Sequence, residues 1–542
     1  MKNPYKIPPI AAEEETPLVK ELVAIIYRLL EENQRQASDI GQMRDEIAVL
    51  KGEKARPKFK SGKMDENTGN EAGAAGDNGA DSGKKKRAGS AKRSKTAKLT
   101  IHEEKTIAPA GGVPPHARFK GYRDVVVQGL VIKAHNVRYR LECWLTAEGE
   151  PLTGVLPEAL QGHHYSPELR GYILYQHHHC HVTQPLLLEQ LREWDIDISA
   201  GQIDALLSAD KEAFHHEKND MLVAGLQVSH YLTVDDSGAR HQGRNGYVTQ
   251  IGNELFGWFS STRGKSRVNF LELLHAGQVT YQVNGAALDY MREQGLAATP
   301  CERLQTAAAI GTREAWLQHL TASGINSERH VRIATEGALI GSLLEKGFNP
   351  ELVILSDGAG QFAILLHALC WIHAERLIHK LIPANELQRI AIAKVRDQIW
   401  GLYAELKAYK KHPDPMLAAP LEARFTAIFT QRTEYATLDR LLARLHRHKD
   451  ELLLVLRRPE IPLHTNGSET DIRDFVKKRK VSGGTRSDSG RQCRDTFASL
   501  KKTCRKLGIS FWKYLLDRVS LNNAIAPLST FIRDAAVSGG LP

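Results

Sequence analysis

The stretch that most constrains the fold runs from Tyr231 to Arg240, Tyr-Leu-Thr-Val-Asp-Asp-Ser-Gly-Ala-Arg. It reads as a short buried strand that ends in acid: β-branched and aromatic types come first, and Asp235 and Asp236 stand where such a strand would stop, just before a glycine. Strand parity leaves open which aspartate faces inward. About 120 residues later the pattern recurs, with Leu352-Val353-Ile354-Leu355 followed by Ser356-Asp357-Gly358 and then an amphipathic helical segment from Gln361 to Lys380. A third acid, Glu469, lies about 110 residues further on, in the first turn of an expected helix. Two strand-end aspartates and one helix-borne glutamate suit a site for two divalent metals. In-line displacement at a phosphodiester puts negative charge on the attacking and leaving oxygens, and two Mg2+ ions ~3.5 to 4 Å apart stabilise both. Mg2+ keeps most of its waters, so a few carboxylates on rigid elements hold it better than a closed cage.

At 542 residues the chain is too long for a single core and divides into several domains. Its 42% hydrophobic and 25% charged residues are those of a soluble globular protein. The longest apolar run, Phe362 to Ile372, is too short to span a membrane and is interrupted by His367. The opening Met-Lys-Asn-Pro-Tyr-Lys has no signal-peptide core, and six scattered cysteines without a Cys-x-x-Cys pair suit a reducing cytosol, so a cytoplasmic, nucleoid-associated protein is expected. The net charge of +10 is segregated: Lys84 to Lys98 holds eight basic residues and no acid, and Arg473 to Arg518 holds fourteen against four. Clustered cations of this kind suit a polyanion, although a solvated basic face would look the same.

In chain order, Leu22, Ile26, Leu29, Asn33, Gln36, Ile40, Met43, Ile47 and Leu50 keep a four-three spacing, which predicts a coiled coil that self-associates or a single helix docked on the body. The Gly-, Ala-, Ser- and Lys-rich segment that follows cannot bury enough surface to fold alone. Tyr122 to Leu145 alternates in strand fashion and suggests a β-ribbon. Helices are expected at Pro167 to Cys180, Pro185 to Trp194 and Ala200 to Leu207 with Ser199 as cap. The last two form a helix-turn-helix candidate that would aim Ala200, Gly201, Gln202 and Asp204 at a major groove. His177-His178-His179-Cys180-His181 points around its helix and reads as packing rather than a metal site. Strands at Tyr247 to Ile251 and Leu255 to Ser260 complete an antiparallel meander with Tyr231 to Asp235. With a fourth strand beside the first, they match a ribonuclease-H-like core. Gln388 to Leu456 carries helical stripes, including Ile392, Val395, Ile399, Leu402, Leu406 and Tyr409. Asn466-Gly467-Ser468-Glu469 fits a capping box, which competes with a metal-binding role for Glu469. Below that acid Arg473, Lys477 and Lys480 recur at near-helical spacing, and Gly483-Gly484-Thr485-Arg486-Ser487 offers a basic loop.

From about Phe119 to Val519 these motifs together resemble the bacterial insertion-sequence 66 transposases of the DDE class. Val234-Asp235-Asp236-Ser237-Gly238 is similar to the first family motif, Ser356-Asp357-Gly358-Ala359-Gly360 to the second, and Cys370-Trp371-Ile372-His373-Ala374-Glu375-Arg376 to the helix after it. Leu463 to Arg473 resembles the glutamate element, with Thr470 where the family has arginine; Asp236 stands where it has glutamate. Cys143 stands alone where many relatives have a zinc ribbon, so the β-ribbon is expected without metal. The implied fold class is α/β multidomain: a ribonuclease-H-like mixed-sheet core with helical insertions, preceded by a coiled coil, a disordered basic linker and a helix-turn-helix DNA-binding domain. The implied division is 1–52 coiled coil, 53–115 linker, 116–210 β-ribbon and helix-turn-helix, 211–283 first core part, 284–350 insert, 351–385 second core part, 386–460 insert, 461–520 third core part and 521–542 tail. The resemblance implies a DNA transposase that binds terminal inverted repeats and cuts and joins DNA, with Asp235, Asp357 and Glu469 holding two Mg2+ ions, for which Mn2+ substitutes. Gln202, Arg473, Lys477, Lys478, Arg479, Lys480 and Arg486 would hold DNA, and Asp236, Cys370 and His373 would support the site. A homodimer or higher oligomer and companion proteins of the element are the further partners. A catalytically silent end-binding regulator and a structure-selective nuclease on the same core are the alternatives.

Overall fold

The computed structural model describes residues 16, 18–19, 100–109, 111, 113, 117–120, 122, 125–304 and 308–538. The seam from Leu22 to Leu50 and the basic run from Lys84 to Lys98 lie outside them. By its contacts the chain forms two units, 1–131 and 132–542. In the first, the described residues contain no strand and, apart from Leu18 and Val19, no helix. Tyr122 to Leu145 therefore makes no long ribbon. Of that stretch Cys143–Leu145 (β1) alone is strand among the described residues, and it pairs with Pro151–Thr153 (β2) around a turn at residues 146–150. The alternating residues before them have no neighbouring strand to pair with, and they stay exposed.

The sheet that organises the second unit has five strands: β3 (Tyr231–Gly238), β4 (Tyr247–Gly252), β5 (Gly257–Thr262), β6 (Val353–Ser356) and β7 (Leu366–Leu369), in spatial order β5-β4-β3-β6-β7. The first three form the expected antiparallel meander, and β6 and β7 add to it in parallel. β3 is central and covered on both faces. Leu232 and Val234 enter one core and Tyr231 another, which is why its apolar run is continuous. The β4–β5 turn is held by Asn253, which bonds Phe256 and Leu255. A Cβ at Gly252 would come within 2.3 Å of the Phe256 carbonyl oxygen, so the turn requires glycine.

The continuous helix expected from Gln361 to Lys380 does not form. A single 3-10 turn at Gly360–Phe362 leads into β7, and only then does a helix begin. An apolar run this short has no periodicity that separates strand from helix, and the free edge of β6 captures it.

Helices surround the sheet. The amino-terminal group is α1 (Pro167–His178), α2 (Gln184–Glu193) and α3 (Ala200–Ser208), followed by the long α4 (Glu212–Val228). Ser199 caps α3 in a full capping box with Gln202. Ile173, Leu187, Leu191, Ile203 and Leu207 join the same core as Leu232 and Val234, so the three short helices are built onto the sheet domain. Rings account for much of the histidine run: His178 stacks on Phe497 at 4.2 Å between centroids and His179 on Tyr175 at 4.5 Å.

The first insert is α5 (Arg267–Leu274), α6 (Gly285–Glu293), α7 (Ala298–Arg303), α8 (Arg313–Ala322) and α9 (Glu328–Glu345). After β7 comes α10 (Trp371–His379), then the second insert, α11 (Glu386–Lys411), α12 (Pro415–Thr430), α13 (Ala436–Arg447) and α14 (Lys449–Leu452). The stripe from Ile392 to Tyr409 is buried in a separate core with Val353, Leu355 and Trp371. The chain closes with α15 (Asn466–Ser482), α16 (Asp488–Lys506), α17 (Phe511–Val519) and, within the expected tail, α18 (Leu528–Ser538), whose Leu528 and Ile532 are buried. No helix among the described residues is long and apolar enough to cross a membrane.

α16 finishes the sheet at β5. Thr503 Oγ1, Ser499 Oγ and Asp495 Oδ2 accept from the backbone N–H groups of Gly257, Phe259 and Ser261 at 3.2, 2.9 and 2.7 Å. Two residues of strand advance about 6.8 Å and four of helix about 6 Å, so side chains spaced by four meet alternate strand amides. The edge is thereby closed to a further strand.

Candidate active site

Sheet register brings the two aspartates together. Thr233 on β3 lies opposite Leu355 on β6; two residues on, Asp357 follows the end of β6, whereas Asp235, expected at a strand end, lies within β3, which stays paired to β4 as far as Gly238. The third acid arrives through two backbone links. The Cys370 N–H donates to the Ser356 carbonyl at 2.9 Å and that of Trp371 to the Leu463 carbonyl at 3.0 Å, which fixes the start of α10 between β6 and the entry to α15. Arg479 then ties the far part of α15 to the end of β3 through the Gly238 carbonyl.

Parity is settled by partners. Asp236 is ion-paired with Lys265 and accepts from Gln361 Nε2 at 2.6 Å, so it already has a cation and a donor of its own. Asp235 faces the other way and accepts one local bond, from the Asp236 N–H at 2.7 Å. Burial, followed by the nearby charges of Asp357, Asp236 and Glu469, pushes its carboxyl up to about 7. Opposite it on β4, Gln250 is fully buried with neither amide atom hydrogen-bonded. Asp357 is exposed, and its Oδ1 accepts from the Ala359 N–H at 3.0 Å.

Glu469 does not cap its helix. α15 begins at Asn466 with Thr465 in the cap position and no side-chain cap bond, which places Glu469 fourth rather than third. The capping-box reading fails on that one-residue shift. Glu469 Oε1 is instead buried without a hydrogen-bond partner, 3.5 Å from His373 Nε2 and 4.0 Å from Arg376 Nη1. Arg376 Nη1 is 3.3 Å from the same Nε2; if it donates there, the imidazole proton is assigned to Nδ1 and Nε2 has none to give Glu469. Burial lowers the His373 pKa, which favours that neutral form. Cys370 is buried, and burial pushes its thiol up, so it keeps its proton and packs at the head of α10.

A further set of residues, which the sequence reading passed over, shapes the second aspartate. Ser356 Oγ accepts from the Gly358 N–H at 3.0 Å and meets His367 Nε2 at 2.9 Å; His367 Nδ1 meets Glu451 Oε1 at 3.2 Å. With Ser356 accepting on one side, its hydroxyl donates to Nε2 and His367 donates from Nδ1. Gly358, at φ +97°, completes the turn that presents Asp357. Only tertiary pairing of β6, β7 and α14 joins these residues.

The cationic face divides in two. Arg473, Lys477, Lys480 and Arg486 are exposed. Lys478, expected on DNA, is instead buried and donates to the His177 carbonyl at 2.6 Å, and Arg479 is engaged with β3. On α3, Gln202 is exposed but its side-chain oxygen accepts from the Ser199 N–H at 2.8 Å.

Three acids, one with a buried carboxylate oxygen that no donor hydrogen-bonds, stand against the single guanidinium of Arg376, so among the described residues the site is short of positive charge. Among the described residues no three His, Cys, Asp or Glu side chains converge on one point. Mg2+ does not require that, since it is usually held by one or two carboxylates and its own waters.

Residues 337–493, which contain Asp357, His373 and Glu469, match the family described as Transposase IS66 family. Over 317 residues the chain is 48% identical to an uncharacterized protein, y4jO, of Sinorhizobium fredii (strain NBRC 101917 / NGR234), a match spanning 58% of this chain and 99% of that one.

Proposed function

The chain belongs to the IS66 family of transposases, and from that premise we propose that it cuts DNA at the terminal repeats of its own insertion sequence and joins the freed ends to target DNA. The observation that carries the chemistry is the charge-deficient acid cluster of half-buried Asp235, exposed Asp357 and half-buried Glu469, in which Asp235 is raised to about 7 and a Glu469 oxygen has no hydrogen-bond partner. These three carboxylates would hold two Mg2+ ions, or Mn2+ in their place, and bound metal would supply the positive charge that attacking and leaving phosphate oxygens need.

The protein's own groups prepare that site. The β3–β6 register sets the separation of the aspartates. Arg376 stands 4.0 Å from Glu469 Oε1 and offers it charge without a hydrogen bond, so that oxygen keeps its acceptor capacity. Lys265 and Gln361 engage Asp236 and keep it out of the cluster. Exposed Arg473, Lys477, Lys480 and Arg486 would take backbone phosphates along α15, and the surface of α3 around Gln202 would meet the repeats. Self-association through the amino-terminal segment and help from companion proteins of the element belong to the same proposal.

The deciding experiment incubates the purified protein with Mg2+ and labelled DNA carrying the element's ends, beside Asp357→Ala. Cleavage and joining that vanish in the variant while end binding persists are expected. End binding without cleavage, unrelieved by the element's companion proteins, would make the chain an end-binding regulator.

A further inference from the structure

Away from the acids, the carboxyl end of α1 meets α15 and α16 around a small enclosed space, bounded in part by Phe259, Phe475 and Ala498. Its wall holds Lys478, Arg494, Lys501 and Lys502, the ring of His178 and a single carboxylate, Asp474. That carboxylate is already shared: it lies 2.7 Å from Lys502 and 3.4 Å from both Lys477 and Arg505. Lys478 has the His177 carbonyl at 2.6 Å, and Lys501 only the distant His178 carbonyl at 3.5 Å. Arg494 lies over the Phe475 ring at 4.7 Å, bonds Ser261 Oγ at 2.9 Å and pairs through Nε with Asp495 at 3.4 Å, but its Nη1, like His178 Nε2, is fully buried with no hydrogen-bond partner.

Buried donors without acceptors are costly, and buried cations facing one another more so. The strain is visible in the ammonium groups: burial first, then neighbouring cations, lowers Lys478 to about 7, and burial lowers Lys501 to about 8. The cavity measures about 20 Å3, enough for one water-sized guest. The wall is largely apolar, and a water would add two donors of its own where the few polar groups are mostly donors. An anion only accepts.

We propose that this cavity binds one halide-sized anion, chloride under ordinary conditions, which offsets the charges of Lys478 and Lys501, gives Arg494 Nη1 an acceptor and fastens the end of α1 to α15 and α16. The site is independent of the acid cluster: Lys478 lies nine residues beyond Glu469 on α15, about 14 Å along the helix.

The test is thermal unfolding of the full chain near neutral pH at constant ionic strength, with sodium gluconate replaced by chloride or bromide. Raising halide to ten to a hundred times its dissociation constant should raise Tm by roughly 1.5–3 °C. Lys501→Met keeps the side-chain length and removes one of the repelling charges. It should unfold no lower than the parent without halide and should lose the halide response, whereas exposed Lys477→Met should keep it. Crystals grown in bromide should show an anomalous peak between Lys501 and Arg494. A full response in Lys501→Met, an equal gain from sulfate, which is too large for the cavity, or a bromide crystal with no peak there would each overturn the proposal.

Discussion

Asp235→Asn tests whether the acid cluster stores unfavourable charge. The variant keeps an oxygen for the Asp236 N–H and removes only the ionisable proton. Asp235 has a folded value of about 7 against an ordinary 3.8. Because folding raises it, the group's favourable contribution is complete below about 3.8 and is lost as pH rises through about 7. About three units at about 1.4 kcal/mol each make the ionised carboxylate cost on the order of 4 kcal/mol above that range. Linkage places about 2.6 kcal/mol of this loss between about pH 5 and pH 8.

The assay is thermal unfolding of parent and variant in chelator across that range. For a folded unit of 132–542, at about 2.1 cal/mol/K per residue, the variant should gain roughly 3 °C on the parent between pH 5 and pH 8. Divalent metal should then stabilise the parent at the higher pH and leave the variant nearly unchanged. A difference in Tm that stays flat with pH would refute the reasoning, because it would mean that Asp235 ionises as an ordinary surface acid.

Three further outcomes follow from named contacts. Ser499→Ala removes the acceptor of the buried Phe259 N–H and should cost about 1–3 kcal/mol, read by denaturant unfolding and by faster amide exchange along β5. Replacing Arg473, Lys477 and Lys480 together by Ala should weaken binding to all DNA sequences and flatten the logarithmic salt dependence by about 2.7, whereas Lys478→Ala, buried already, should leave that slope unchanged. His367→Ala should lower end cleavage about tenfold, about 1.4 kcal/mol, with DNA binding retained; Ser356→Ala should do the same, and the double change should cost little more than either alone.

Much of this architecture was legible in the chain because local signals and tertiary demands agree. Tyr231 to Val234 has strand composition and also occupies the centre of the sheet, where apolar residues are needed on both faces. Ser199 and Gln202 form a capping box that depends on nothing outside α3. The stripe from Ile392 to Tyr409 needs only a helix and a core to face. The region around Phe362 to Leu369 was not legible, because its conformation depends on an open edge at β6 that no local pattern announces.

The acids and cations show the same limit more sharply. Asp235 and Asp236 are the same residue type one position apart, and what separates them is Lys265 on a later loop and Gln361 on another strand's exit. Lys477 and Lys478 are likewise adjacent and identical, yet one is exposed and the other is enclosed by α1 and α16. One step along a helix turns a side chain by about 100°, so α15 points one lysine outward and the next into the body. Sequence therefore identifies the chemistry that a segment carries, while packing decides which copy of it is free to act. Here packing gives Asp236 a close cation of its own and leaves Asp235, Asp357 and Glu469 to share the more distant Arg376, 4.0 Å from Glu469, which is why the first three make the candidate metal site and the fourth does not.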